Sequence, residues 1–409
     1  MKIDDIWGTN SRSGRQEEGK KMSALNGCDR RKARDGMNFV IFGAQSIALG
    51  VYQAFHRLYP QRGIGCFLVS QRGNNPMELA GIPVLELSGF ASGLSQEEKD
   101  NLEILIATPE NVMEDIEAAL EHHGFHCHVR LTSSRWAQFM GYHYIHDRSF
   151  MPLAALPIGC RRPDIQIFMA KFYKDLPLTG DYPMPDWITP VQAGAGLCRE
   201  RVADILDCDG ETISDKNGNY SELTVLYWIW KNCLEAKLQA QENVPDNRDR
   251  GPDSCRYYGL CHYRRILELS EDDVLRLEDN GVDVVLPYPM PYEPDIEAHH
   301  KRYLSDGDWQ ALLIALKELQ PAYKAAFPAI LHQQYFYNYN IILARKEVLA
   351  DYCSWLFSIL ERVEELSEPK GWERQDRYIG YLGETLETLY FMYHRDRLNI
   401  VHAGCRFLT

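Results

Sequence analysis

From Phe39 the chain reads FVIFGAQSIALGVYQAF, an unbroken apolar run, a glycine, then apolar positions at helical spacing. That is a buried strand, a tight turn and an amphipathic helix. The runs GCFLVS, IPVLEL, LEILIATP and FHCHVRL then predict further strands, with PENVMEDIEAALEHHG as a helix before the last. Strands alternating with helices predict a small parallel α/β domain over about 38–150. Pro152, Pro157, Gly159 and Pro163 punctuate the next stretch of chain, and a second domain is expected over 160–409. It opens with the strand IQIFMAKF (165–172) and holds a helix, LTVLYWIWKN, that is apolar on nearly every face and so predicted buried. Asn219 and Glu222 ahead of it form a capping-box-like start. A polar loop over 239–254, strands RYYGLCHY and VDVVLPYP, and helices near 309–319, 346–366 and 374–393 complete the domain.

Residues 1–37 mix charges of both signs with few apolar anchors, which predicts a mobile leader rather than a signal peptide. A chain of 409 residues with 45% hydrophobic and 25% charged positions is an ordinary globular protein. Its net charge of −14 argues against nucleic-acid partners. The apolar stretch at Phe39 is broken by Gln45, Ser46 and Gln53, so no transmembrane span is expected. Eleven cysteines without CxxC spacing read as reduced thiols of a cytoplasmic protein.

The turn Gly43-Ala44-Gln45-Ser46 stands between strand and helix, where backbone N–H groups can hold a phosphate. It lacks the full GxGxxG, and a purely structural turn is the competing reading. His122, His123, His126, Cys127 and His128 are rich in ligand types, yet a strand scatters them to both faces and no metal site is expected there.

Denser signals lie further on. YYGLCHYRR (257–265) ends an apolar strand in His262, Tyr263, Arg264 and Arg265. Strand alternation puts His262 and Arg264 on one face, and guanidinium groups match phosphate oxygens bidentately. The competing reading is an ion pair that locks the strand end. Together with DGETISDKNGNYSELTVLYWIWKN (209–232), DVVLP (283–287), His299/His300, Asn340 in NIILARKE, YCSWLF (352–357) and RYIGYLGETL (377–386), this segment resembles the bacterial capsular polysaccharide synthesis family with a GLxHYRR strand end. The resemblance covers about 165–395. The 239–254 loop is longer than usual, and Thr385 stands where the family often has Arg. The N-terminal part resembles the Rossmann-like domain attached to some bacterial sugar-modifying enzymes.

The resemblance implies a Rossmann-like accessory domain followed by a GT-A-like glycosyltransferase domain. It would move a sugar from a nucleotide-sugar donor, UDP-linked, to a capsular or exopolysaccharide acceptor, free or lipid-linked. Glu384 and Asp283 are the candidate catalytic acids. His262, Arg264, Arg265, Ser214, Lys216, Asn217, Lys231 and Asn232 are candidates for the donor. Glu222, Tyr227, His300, Asn340 and Arg377 are further cleft candidates. Because the strand end carries cations in place of Asp-x-Asp, no divalent metal is expected there. Such a chain would work in the cytoplasm, peripherally at the inner face of the membrane or beside polysaccharide-assembly proteins. The alternative is a noncatalytic nucleotide-sugar-binding regulatory or assembly protein.

Overall fold

A computed structural model describes residues 39–235, 256–370 and 373–409; the leader expected at 1–37 and the loop at 239–254 lie outside the described residues. The chain is mixed α/β and divides into two compact units, one through His143 and one from Tyr144 to Thr409.

In the first unit β1 (Phe39–Phe42), β2 (Phe67–Val69), β3 (Glu78–Leu79), β4 (Ile82–Glu86), β5 (Glu103–Ile106) and β6 (His128–Arg130) form one sheet in the order β3-β4-β2-β1-β5-β6. Apart from the antiparallel β3–β4 pair, all neighbours are parallel. The order reverses at β1, immediately before Gly43. That glycine has φ +131°, and a Cβ on it would meet the Ala107 carbonyl oxygen at 2.4 Å, so no larger residue fits the turn. The following helix, Ser46–Leu58, buries Ala48, Leu49, Val51, Ala54 and Phe55, the helical stripe expected from the sequence.

The second unit is built on β7 (Ile165–Lys171), β8 (Ile188–Gln192), β9 (Ile205–Leu206), β10 (Tyr257–His262), β11 (Arg265–Glu268), β12 (Val284–Pro287), β13 (Met290–Pro291), β14 (Tyr335–Phe336), β15 (Ile342–Arg345) and β16 (Ile400–Phe407). Eight of these form a mixed sheet in the order β11-β16-β12-β15-β10-β7-β8-β9, and β13 pairs with β14 separately. Along β7, β10, β12 and β15 side chains alternate between two cores. Phe168, Tyr258, Leu260, Leu286 and Ile342 face the long helices on one side. Ile167, Tyr257, Cys261, Val285 and Leu343 face the Glu271–Asp279 helix side. Burial of both faces explains why the strands read as continuous apolar runs. Gly259 belongs to this sheet for a steric reason: a Cβ there would lie 2.3 Å from the carbonyl oxygen of Ile342 on β15.

One expectation is corrected. The capping box before the buried helix is absent: Asn217–Tyr220 is a short helix of its own, Glu222 is the N-cap of Leu223–Trp228, and no side chain caps it. The buried helix itself continues as a π-helix over Ile229–Glu235. The Pro- and Gly-rich stretch after 150 is fastened within the second unit. Pro152 bridges to His402, the Gly159 N–H donates to Leu275 O at 3.2 Å, and the Cys160 N–H donates to Asp279 Oδ2 at 2.6 Å. Among the described residues no helix is long and apolar enough to cross a membrane.

Candidate functional site

Strands β7, β8 and β10 run in the same direction, so their C-terminal ends lie at one edge of the sheet, together with the N-terminal end of antiparallel β15. His262 closes β10. Tyr263 and Arg264 are a two-residue turn, and Arg265 opens β11 directly opposite His262. The alternation expected of an unbroken strand is therefore replaced by a hairpin, and the cross-strand pair is His262 with Arg265.

Glu222 and Glu384 are brought to this edge from two helices. Gly383 makes the approach possible, because a Cβ there would sit 2.7 Å from the Leu223 side chain. The Asn340 Nδ2 donates to Glu222 Oε1 at 2.7 Å and to Gly380 O at 3.3 Å. Arg377 Nη2 lies 3.8 Å from Glu222 Oε2, while its Nε donates to Ser221 Oγ at 2.8 Å. The backbone N–H of Tyr339 donates to Glu384 Oε1 at 3.0 Å. His262 Nε2 stands 4.0 Å from Glu222 Oε1.

The backbone around these carboxylates is strained. Six described non-glycine residues have positive φ, and four of them are here: Ser221 at 50°, Tyr339 at 75°, Asn340 at 50° and Arg377 at 64°. Each such conformation costs roughly 1–3 kcal/mol and persists only where the surroundings enforce it. Here the consequence is geometric, since the turned backbone aims the Tyr339 N–H and the Asn340 amide at the two acids.

Burial raises the Glu384 carboxyl to about 8, with the Glu222 charge adding to the rise and the Tyr339 N–H, Arg377 and Arg265 opposing it. Glu384 nevertheless keeps partial solvent access. One turn further along the same helix Glu387 is fully buried, and neither of its oxygens has a hydrogen-bond partner. Burial holds its carboxyl well above the usual range. His262 is lowered by burial against the pull of Glu222, so its imidazole is favoured neutral.

Cations surround the acids. Asp175, raised by burial and bonded by the Phe172 N–H at 2.7 Å, interacts with Lys171, Arg264 and Arg377 together. The Nε of Arg264 is buried without a hydrogen-bond partner. Arg265 is fixed by stacking, its guanidinium 4.1 Å from the Tyr339 ring and 4.9 Å from the Phe407 ring.

The structure gathers Glu222, His262, Arg264, Arg265, Asn340, Arg377 and Glu384, and separates others. Asp283 sits at the opposite end of the sheet, accepting from the Asn399 N–H at 2.8 Å and facing Arg345 at 3.5 Å. Ser214 Oγ bonds Asp207, and Asn217 Nδ2 donates to Ser221 O at 2.9 Å. Lys216 pairs with Glu364 at 2.5 Å, and Lys231 with Glu235 at 3.2 Å over the Trp230 ring. Asn232 and Tyr227 are tied to Glu211, and His300 to Thr385 Oγ1 at 2.9 Å. In the first unit Gly43 donates to Leu68 O, and Gln45 Nε2 donates to Asn75 Oδ1 at 2.9 Å, with no side chain capping the helix that begins at Ser46 and follows Ala44. His128 faces Glu117 and Glu121 at 3.8 Å each. Among the described residues no three His, Cys, Asp or Glu side chains gather as metal ligands would.

Sequence reasoning missed Lys171, Asp175, Ser221, Tyr339 and Glu387. It also missed Asp207, a buried hub whose carboxylate accepts from the Gly194 and Ala195 N–H groups at 2.8 and 2.9 Å and from Thr224 Oγ1 at 2.7 Å. Asn340 carried one readable signal, since Asn is among the few residues that tolerate left-handed backbone.

A solved structure described as the apo form of WbbM, a bifunctional glycosyltransferase, is similar to 60% of this chain at 24% identity with a TM-score of 0.47. The likeness spans 45% of that protein, less than half its length. No curated protein matches the chain. The family described as a domain of unknown function, DUF4422, matches residues 177–241 and 250–395, just over half of the sequence, including Glu222, His262, Arg264, Arg265, Asn340, Arg377 and Glu384, and the chain belongs to that family.

Proposed function

We propose that the chain is a glycosyltransferase that moves a sugar from a UDP-linked donor to a hydroxyl of a capsular or exopolysaccharide acceptor. The observation that carries this reading is the ring of strained residues, Ser221, Tyr339, Asn340 and Arg377, that holds two acids beside a set of arginines. Such strain is kept where chemistry needs fixed groups. The GLxHYRR resemblance of residues 257–265 supports the same activity.

In this reading Arg264, with Arg377 and Lys171 nearby, takes the donor diphosphate. His262 and Arg265 shape its floor. The acceptor oxygen attacks the anomeric carbon, the bond from that carbon to the diphosphate oxygen breaks, and its electron pair leaves on the diphosphate. Guanidinium groups stabilise the charge that develops there. Glu384 takes the proton from the acceptor hydroxyl, and its raised basicity suits that task. Arginine in the position of an Asp-x-Asp pair lets diphosphate be neutralised without a carboxylate-held divalent ion. The strand order of the first unit, reversing beside Gly43, suits a Rossmann-like accessory role.

Thermal stabilisation and hydrolysis, measured with a panel of UDP-, GDP- and CMP-sugars, test the proposal. Stabilisation and turnover with a UDP-sugar are expected. Stabilisation without any turnover, with or without added glycans, would instead make the chain a nucleotide-sugar-binding regulator.

A further inference from the structure

Tyr303 is the one Phe, Tyr or Trp side chain that is more exposed than buried among the described residues, at 53% of its surface. Its ring lies 5.4 Å from that of Tyr381, inclined by 31°. Tyr381 is half-buried on the Tyr378–Tyr393 helix, three residues before Glu384, so the two side chains share one helical face.

The exposed ring is held from below. The Tyr303 N–H donates to His300 O at 2.9 Å, and the neighbouring Leu304 is buried as an anchor. His300 in turn meets Thr385 Oγ1 at 2.9 Å, which fastens this turn to the helix carrying Glu384. The His299 ring lies 5.1 Å from Tyr303 and 3.7 Å from the Tyr292 ring. Asn338 Nδ2 donates to Tyr292 Oη at 2.9 Å, while Asn338 Oδ1 is buried without a partner. The next residue, Tyr339, is the one that holds Glu384. The exposed ring thus packs on the helix that carries the proposed base, and Asn338 precedes the residue whose N–H holds that base.

We propose that Tyr303 and Tyr381 form the stacking platform for a pyranose ring of the glycan acceptor, one helical turn from Glu384. A pyranose presents a face of axial C–H bonds that packs on an aromatic ring, while its hydroxyls stay free for polar partners. Tyrosine supplies that ring together with a polar tip. The inference rests on the transferase reading for the identity of its ligand, but the platform itself is testable without turnover.

Saturation-transfer NMR on the full chain with cellobiose, lactose and maltose as probes, and uridine as a comparison, reads the platform directly. At least one disaccharide should receive saturation concentrated on the C–H protons of one ring face. Tyr303→Ala and Tyr381→Ala should each weaken that binding roughly two- to tenfold, and Tyr303→Phe should retain it. The proposal is overturned if no disaccharide binds, if binding survives both alanine variants, or if uridine binding is what those variants lose. Thermal stabilisation by UDP-sugars is measured in parallel. Disaccharide bound at the tyrosines with no response to nucleotide sugars leaves the platform standing and removes the transferase reading. Stabilisation by nucleotide sugars with no disaccharide bound does the reverse.

Discussion

The backbone N–H of Tyr339, a residue held at φ 75°, donates to Glu384 Oε1 at 3.0 Å. The bond fixes the carboxylate on one side and leaves its other oxygen open. It also opposes the rise in basicity that burial imposes, and Glu384 settles at about 8, so its carboxyl is mostly protonated at about pH 7 and gains the base form as pH passes 8.

Glu384→Gln removes the proton acceptor and keeps the shape. Turnover should fall by at least about a hundredfold, in line with the contribution of a positioned general base. Stabilisation by the donor should be unchanged. Unaltered turnover would take Glu384 out of the mechanism.

The titration of Glu384 has a definite sign. The base form gains as pH rises, so kcat/KM should climb towards a plateau above about 8. For folding the sign is opposite. A carboxyl raised from 4.5 to about 8 favours the folded state fully below 4.5 and loses that contribution as pH rises through 8. The thermal midpoint of Glu384→Gln relative to the parent should therefore improve steadily between those two values, and a constant difference would contradict the assignment.

Arg264→Ala should weaken donor binding about ten- to a hundredfold, since a charge-assisted hydrogen bond contributes roughly 1.5–3 kcal/mol. Arg264→Lys should restore only part, because an ammonium lacks the planar two-point contact. Calorimetric titration with a UDP-sugar decides it. Normal binding by the alanine variant, or a strict divalent-metal requirement traced to carboxylates at this edge, counts against the role.

Asp283→Ala separates the two acids expected from sequence. Its carboxylate lies at the far end of the sheet, bonded to the Asn399 N–H. Turnover should stay within about twofold while the thermal midpoint falls, the loss of one such bond being worth about 1 kcal/mol. A turnover defect with unchanged stability would return Asp283 to the site.

Gly259→Ala tests the sheet that carries the site. The new methyl would press on the Ile342 carbonyl oxygen, 2.3 Å away, and overpacking of this kind costs roughly 1–3 kcal/mol. Chemical denaturation should show that loss. Full stability would mean that β10 and β15 part more easily than their pairing implies.

Where the period was strong, the sequence could be read. The apolar runs at β7, β10 and β12 and the helix Lys346–Leu366 follow directly from alternation or helical spacing. The hairpin at Tyr263-Arg264 was hidden because neither residue is a turn former. Glu222 looked like a cap because Asn219 precedes it by three, whereas the short Asn217–Tyr220 helix takes Asn219 and frees the acid for Asn340 and Arg377. The meeting of Glu222 with Glu384 depends on how closely Gly383 lets two distant segments approach, and that long-range fit leaves no mark on local pattern.

The strand Ile400–Phe407 comes after every other described element in the chain, yet it lies between β11 and β12 and pairs with both. Phe407 supplies one of the two rings that fix Arg265, and the Leu408 N–H donates to the Arg264 carbonyl. During synthesis the hairpin that carries these arginines therefore emerges well over a hundred residues before its neighbour. Until that neighbour arrives, β11 and β12 both present open edges. The cationic turn is thus the last part of the sheet to be armed, and a ribosome-stalled chain lacking residues 400–409 holds the arginines without the wall that aims them.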